Sequence, residues 1–187
     1  MTYLLANGAV EACSQNSDGQ LGNGTTTDSL KPVRVKGLPS SPVTSISAGP
    51  SSSTALLKNG QVWGWGNNKA GQLGNGTTKN VNKLPVEATA LPTGVTFTYV
   101  ATGGDHSLGL DSAGDVYAWG NDGRGQLGDA GNTDEGDPGT AVLVPVKVLT
   151  GASLVSAPAN DSVAALNWAL RISPWRRPTK SPRHSTP

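Results

Sequence analysis

Two histidines, one cysteine and a run of carboxylates are the side chains in this sequence best suited to acid–base, nucleophilic or metal chemistry. His106 lies in Ala101-Thr102-Gly103-Gly104-Asp105-His106-Ser107-Leu108, and His184 lies in a basic, proline-rich stretch. A catalytic base needs a positioned nucleophile or an orienting partner, and no spacing nominates one for either histidine. His106 is therefore expected to be structural. Cys13 is the single cysteine, so no intrachain disulfide or cysteine-based metal cluster is expected, and it reads as a buried small hydrophobe. No catalytic, cofactor-binding or metal-binding residue is assigned. The chain is expected not to be an enzyme and to need no cofactor.

The carboxylates gather in one loop, where Asp129, Asp134, Glu135 and Asp137 are interspersed with glycines. Three readings stay open: a solvated acidic loop, a partner-binding loop that also uses Arg124, or a Ca²⁺ site. The twelve-residue EF-hand pattern is absent, since it needs a Glu at its last position. Asp134 and Glu135 are expected to be exposed. Glycine-rich pieces such as Gly64-Trp65-Gly66 and Gly120-Asn121-Asp122-Gly123 resemble phosphate loops only superficially. A phosphate loop needs a following helix whose N-terminus faces the anion, and no helix is signalled. These glycines are assigned to turns and close packing. Asn23-Gly24-Thr25, Asn75-Gly76-Thr77 and Asn160-Asp161-Ser162 fit the N-glycosylation pattern, but the first two recur where a turn recurs.

The elements that must carry these residues are repeated. Val62-Trp63-Gly64-Trp65-Gly66-Asn67-Asn68-Lys69-Ala70-Gly71-Gln72-Leu73-Gly74 returns 54 residues later as Val116-Tyr117-Ala118-Trp119-Gly120-Asn121-Asp122-Gly123-Arg124-Gly125-Gln126-Leu127-Gly128. An eroded copy begins 52 residues earlier, at Val10, with Cys13 in the tryptophan position. Turn pairs at Asn7-Gly8, Asn59-Gly60 and Ala113-Gly114 keep phase, as do Pro32-Val33, Pro85-Val86 and Pro145-Val146. Such a period means stacked supersecondary units.

Within a unit the apolar runs are short, β-branched or aromatic, and bounded by turn residues, which predicts strands over 43–48, 53–58 and 61–66, with 33–36 as a candidate fourth. Asn59-Gly60 predicts a two-residue hairpin turn with positive φ at both positions. Trp63 and Trp65 fall on one face of their strand, Val62 and Gly64 on the other, and both faces read as buried. From Gly-Gln-Leu-Gly to the Pro-Val pair takes 10 residues in the first copy, 11 in the second and 17 in the third. The extra length lies in the acidic loop.

Val-Tyr-Ala-Trp-Gly-Asn…Gly-Gln-Leu-Gly over 116–128, preceded by 101–108, resembles the regulator-of-chromosome-condensation repeat. The resemblance covers roughly residues 1–166. It implies an all-β chain with blades of about four antiparallel strands, normally about seven to a β-propeller ring. It also marks Trp65, Gly71, Leu73, Gly74, His106, Trp119, Gly125, Leu127 and Gly128 as structural repeat residues. The tryptophans and leucines among them are expected in the core. The expected divisions are 1–42, a partial first blade; 43–96, a second; 97–150, a third; and 151–166, the start of a fourth. About three blades cannot close a ring, so an open, partial β-propeller is expected, possessing terminal faces that favour self-association.

The family implies function by protein binding through loops: exchange factors for small GTPases, adaptor segments of ubiquitin ligases and kinases, or bacterial propellers. A protein–protein interaction module is the leading reading and a guanine-nucleotide exchange factor the alternative, since fold alone does not choose. No exchange-factor residue is carried over, because no local segment matches one.

Charge bears on partners. The formal net charge is +1, but residues 167–187 carry Arg171, Arg176, Arg177, Lys180 and Arg183 with no acid, leaving the rest at −4. No nucleic-acid partner is predicted from so mildly acidic a body. Residues 167–187 abandon the repeat after Leu166 and read as an unstructured basic tail, either a frameshift product or a native arm for an acidic partner. No apolar run is long enough to span a bilayer, and no signal peptide is recognised before Cys13. Low charge and Ser/Thr/Asn richness lean towards an exported bacterial protein.

Overall fold

A computed structural model describes residues 1–91, 93–128, 141–158 and 161–166. They form thirteen strands and no helix, so among the described residues no helix is long and apolar enough to cross a membrane. The acidic loop and the basic C-terminal residues lie outside the described residues, together with the expectations attached to them.

The strands form four meandering antiparallel sheets. The first holds β1 (Thr2–Leu4), β2 (Val10–Ser14) and β3 (Ser29–Arg34). The second holds β4 (Val43–Ala48), β5 (Ser52–Leu57), β6 (Val62–Asn67) and β7 (Val81–Glu87). The third holds β8 (Phe97–Thr102), β9 (His106–Asp111), β10 (Val116–Asn121) and β11 (Ala141–Leu149), and the fourth begins with β12 (Ala152–Ser156) and β13 (Val163–Leu166). The fold is an all-β, open arc of propeller blades.

The candidate fourth strand at 33–36 belongs elsewhere. Its residues overlap β3, which pairs with β2, whereas the second blade takes its fourth strand from β7, beyond the Gly-Gln-Leu-Gly loop. Chain direction decides this: β6 runs into the loop, which returns the chain antiparallel beside it. Pro39 and Pro42, by contrast, interrupt the path from β3 to β4.

The hairpin turns also differ from expectation. Only Gly60 has positive φ, at 84°, while Gly60 N–H donates to the Leu57 carbonyl and Leu57 N–H to the Gln61 carbonyl, both at 2.9 Å. This is a three-residue loop, with a type I turn closed by a left-handed glycine. The same two bonds recur around Gly8 and Gly114, so the glycine alone carries the signal.

Sheets pack face to face. Trp65 enters the apolar cluster of Val10 and Val35 from the preceding blade, and Trp119 that of Leu56, Val62 and Ala88. Phe97 meets Tyr117 edge-on, their centroids 5.4 Å apart. Polar groups join the blades as well: the Thr54 and Thr102 hydroxyls lie 2.7 Å apart, and Thr102 N–H donates to the Ser47 hydroxyl at 2.9 Å. Trp63, expected to be enclosed, is only half-buried and belongs to none of the interblade clusters. Cys13 is likewise half-buried rather than core. It stands in the tryptophan position of the first blade, ahead of which no described blade packs.

Candidate interaction surface and interblade slots

Each Gly-Gln-Leu-Gly loop is built around one polar side chain four residues before its glutamine. Asn16, Asn68 and Asp122 accept, through Oδ1, the N–H of Leu21, Leu73 and Leu127 at 2.9, 2.9 and 2.8 Å. The amides of the two asparagines also donate across the loop: Asn16 to the Thr25 and Thr27 carbonyls, Asn68 to the Thr77 carbonyl. Buried amides so satisfied fix the loop without secondary structure. Leu21, Leu73 and Leu127 are thereby turned into the core, each no more than 2% exposed. The residue types of Asn16, Asn68 and Asp122 do not by themselves mark them for this role. Their recurrence at constant distance from Gln-Leu-Gly was the available signal.

The loop then receives the next blade. Trp65 Nε1 donates to the Gln20 carbonyl and Trp119 Nε1 to the Gln72 carbonyl, both at 2.9 Å. Ser53 and Ser107 hydroxyls donate to the same two carbonyls, at 3.4 and 2.9 Å. Both indoles are fully buried. A methyl group at Gly22 or Gly74 would lie 2.9 Å from the facing indole, so the final glycine of the loop makes the slot. The sequence could not reveal this bond, because its acceptor is a main-chain carbonyl.

The third blade repeats the slot. Gly125 and Gly128 have φ of 69° and 68°, close to the 75° and 70° of Gly71 and Gly74. Yet a methyl at Gly128 would meet no described atom within 4 Å. Beside it opens a cavity of about 520 Å³, lined by Val116, Gln126, Gly128 and Val148 and by Ser162 and Val163 at the start of β13.

The remaining singled-out residues separate into packing and surface. His106 is fully buried, its Nε2 3.1 Å from the Asp161 carbonyl. A carbonyl can only accept, so this nitrogen carries the proton. Burial holds the ring below its ordinary pKa, against the opposing pull of that bond and of Asp105, Asp161 and Asp122. Such a neutral histidine ties the third blade to the fourth. Arg124 and Lys69 are exposed on successive loops. Asp129, Asp134, Glu135 and Asp137 lie outside the described residues, so the proposed partner-binding group is represented by Arg124 alone. No cluster of three or more metal-ligating side chains occurs among the described residues.

The chain matches the Regulator of chromosome condensation (RCC1) repeat over residues 12–56, 59–110 and 113–161. It is 33% identical over 156 residues to the Ultraviolet-B receptor UVR8 of Arabidopsis thaliana, covering 83% of this chain and 32% of that protein. It is 37% identical over 136 residues to the human Probable E3 ubiquitin-protein ligase HERC3, covering 72% of this chain and 13% of that protein. Among solved structures, yeast RCC1 (Prp20), crystallised with Kap60 bound, superimposes with a TM-score of 0.75 at 27% identity, over 88% of this chain and 39% of the yeast one. The chain thus spans a third or less of the length of each of these two curated relatives.

Proposed function

We propose, from the premise that this chain belongs to the regulator of chromosome condensation (RCC1) repeat family, that it is a non-catalytic protein–protein interaction module. The observation that carries this reading is where the copies differ. Loop-fixing amides, slot glycines and buried tryptophans repeat with the same hydrogen bonds, whereas the sequence between Gly128 and Pro145 is lengthened and made acidic. Scaffold positions repeat because packing demands it. Loop positions free of that demand are where a partner is read.

His106 supports the non-catalytic part, since its protonated nitrogen is already engaged with a main-chain carbonyl. The yeast relative, whose crystal structure contains bound Kap60, supports protein binding as the working mode of such blades. The binding surface assigned here comprises Arg124 and the segment containing Asp129, Asp134, Glu135 and Asp137. Met1, Tyr3, Leu4 and Leu5 on the first blade are exposed and provide a route to weak self-association.

The test is affinity capture with the full chain, set beside a variant in which Arg124→Glu is combined with Asp134→Asn, Glu135→Gln and Asp137→Asn. A partner retained by the first and lost by the second supports the assignment. Equal retention by both would move the surface elsewhere. Accelerated nucleotide release from a small GTPase would replace this reading with that of an exchange factor.

A further inference from the structure

The geometry points to Asn23 and Asn75 as self-modification sites, where the main-chain nitrogen of the following glycine attacks the side-chain amide once the contact with the next blade opens. This goes beyond the interaction-module reading and does not rest on it. Four Asn-Gly pairs lie in the described residues: Asn7-Gly8, Asn23-Gly24, Asn59-Gly60 and Asn75-Gly76. Glycine carries no side chain, so it leaves the attacking nitrogen unhindered. The loop pairs differ from the hairpin pairs at the electrophile. Asn75 Oδ1 accepts from Asn68 Nδ2 at 3.0 Å, from Thr77 Oγ1 at 2.9 Å and from Thr77 N–H at 3.3 Å. Asn23 Oδ1 accepts the same set from Asn16 and Thr25, at 3.4, 2.8 and 3.1 Å. Asn7 Oδ1 accepts only from Ala9 N–H and Asn59 Oδ1 only from Gln61 N–H among the described residues. Donors aimed at an oxygen on which charge develops stabilise the tetrahedral adduct, so the loop asparagines are activated towards attack.

The nucleophile is what restrains them. Gly24 N–H donates to the Lys83 carbonyl in β7 at 3.0 Å, and Gly76 N–H to the Leu143 carbonyl in β11 at 2.9 Å, each acceptor lying in the next blade. Gly8 and Gly60 N–H are instead held inside their own hairpins, by the Leu5 and Leu57 carbonyls. Gly24 and Gly76 are exposed, so their bonds open when neighbouring blades part locally. The freed N–H then gives its proton to water or hydroxide, the nitrogen bonds to Cγ, and the Cγ–Nδ2 bond breaks, the nitrogen leaving as ammonia with a proton from water. The five-membered succinimide so formed is opened by water at either carbonyl, leaving aspartate or isoaspartate. Isoaspartate adds a methylene to the main chain and moves the glycine N–H off its acceptor. The modification thereby makes a transient parting of the blades lasting.

The test holds the full chain in mildly alkaline buffer and follows each Asn-Gly pair by peptide mapping and mass spectrometry, with isoaspartate scored separately from aspartate. Asn75 in the folded chain is expected to react at least about tenfold more slowly than in a free peptide of residues 72–79, because the bond to Leu143 must first open. Trp119→Phe removes the indole bond to Gln72 O at the same boundary, and should raise the Asn75 rate at least about threefold while Asn7, Asn23 and Asn59 keep theirs. Adding Thr77→Val to that variant takes one donor from Oδ1 and should slow Asn75 again. If Trp119→Phe fails to fold, urea below the wild-type unfolding transition makes the same comparison: the rates at Asn23 and Asn75 should rise before that at Asn59. A folded Asn75 that reacts as fast as the peptide, or a rate indifferent to the boundary change, overturns the proposal. So does acceleration spread equally over all four sites, which would report global unfolding, and so does a faster Asn75 after Thr77→Val.

Discussion

Trp119 Nε1 donates to the main-chain carbonyl of Gln72 across 2.9 Å, so a side chain of the third blade completes the loop of the second. Replacing Trp119 by Ala removes a fully buried indole and should destabilise the fold by about 3–5 kcal/mol. Trp119→Phe keeps much of the packing, and Gln72 O retains the Ser107 hydroxyl at 2.9 Å, so a cost of about 1–2 kcal/mol is expected. Urea unfolding of both variants checks the order. Equal costs would mean that the ring area kept by Phe contributes nothing and that loss of the indole N–H accounts for the whole effect.

The slot glycines separate backbone strain from steric conflict. Gly74 and Gly128 share a left-handed backbone, with φ of 70° and 68°, but among the described residues only Gly74 of the two faces an indole. Gly128→Ala should cost about 1 kcal/mol from conformation alone. Gly74→Ala adds a methyl 2.9 Å from Trp119 Nε1, and overpacking should bring a further 1–3 kcal/mol or so. Thermal melts of the two variants read the difference. Equal losses would show that Trp119 yields freely.

What the sequence disclosed and what it withheld follow from the kind of bond involved. Trp65, Trp119, Leu73 and Leu127 were legible because burial demands apolar residues at a constant phase, and the structure buries all four. The turn at Asn59-Gly60 was misjudged because Asn tolerates either sign of φ, and here only the glycine's conformation is special. The slot was illegible because Gln20 and Gln72 accept through carbonyls that any residue possesses. Cys13 was misread because a lone cysteine reads as a core residue, whereas among the described residues no sheet covers the leading face of its blade.

Asn68 offers a test of the loop-fixing amide. Its buried side chain accepts from the buried Leu73 N–H at 2.9 Å and donates to the carbonyl of the exposed Thr77 at 2.9 Å. Asn68→Ala strands the buried Leu73 N–H and should cost about 1–3 kcal/mol. The adjacent exposed Lys69→Ala should stay within about 0.5 kcal/mol. Hydrogen exchange at Leu73 supplies the local readout: its amide should lose protection in the Asn68 variant and keep it in the Lys69 variant.

His106 makes stability depend on pH in a direction fixed by its surroundings. Burial lowers its folded-state pKa below the ordinary 6.5, so protonation favours the unfolded chain, which binds the proton more tightly. The contribution is fully present above pH 6.5 and is lost progressively as the pH falls from there towards the depressed folded value. An imidazolium would also have to sit in a site where a methyl at Gly103 would lie 2.5 Å from the ring, leaving little room for hydration. The melting temperature should therefore drop between about pH 7.5 and 5.5. His106→Asn keeps a donor for the Asp161 carbonyl and cannot titrate, so it should flatten that drop even if it lowers the melting temperature throughout. An unchanged pH slope in His106→Asn would assign the dependence to other groups and would mean that His106 is protonated in the fold without penalty.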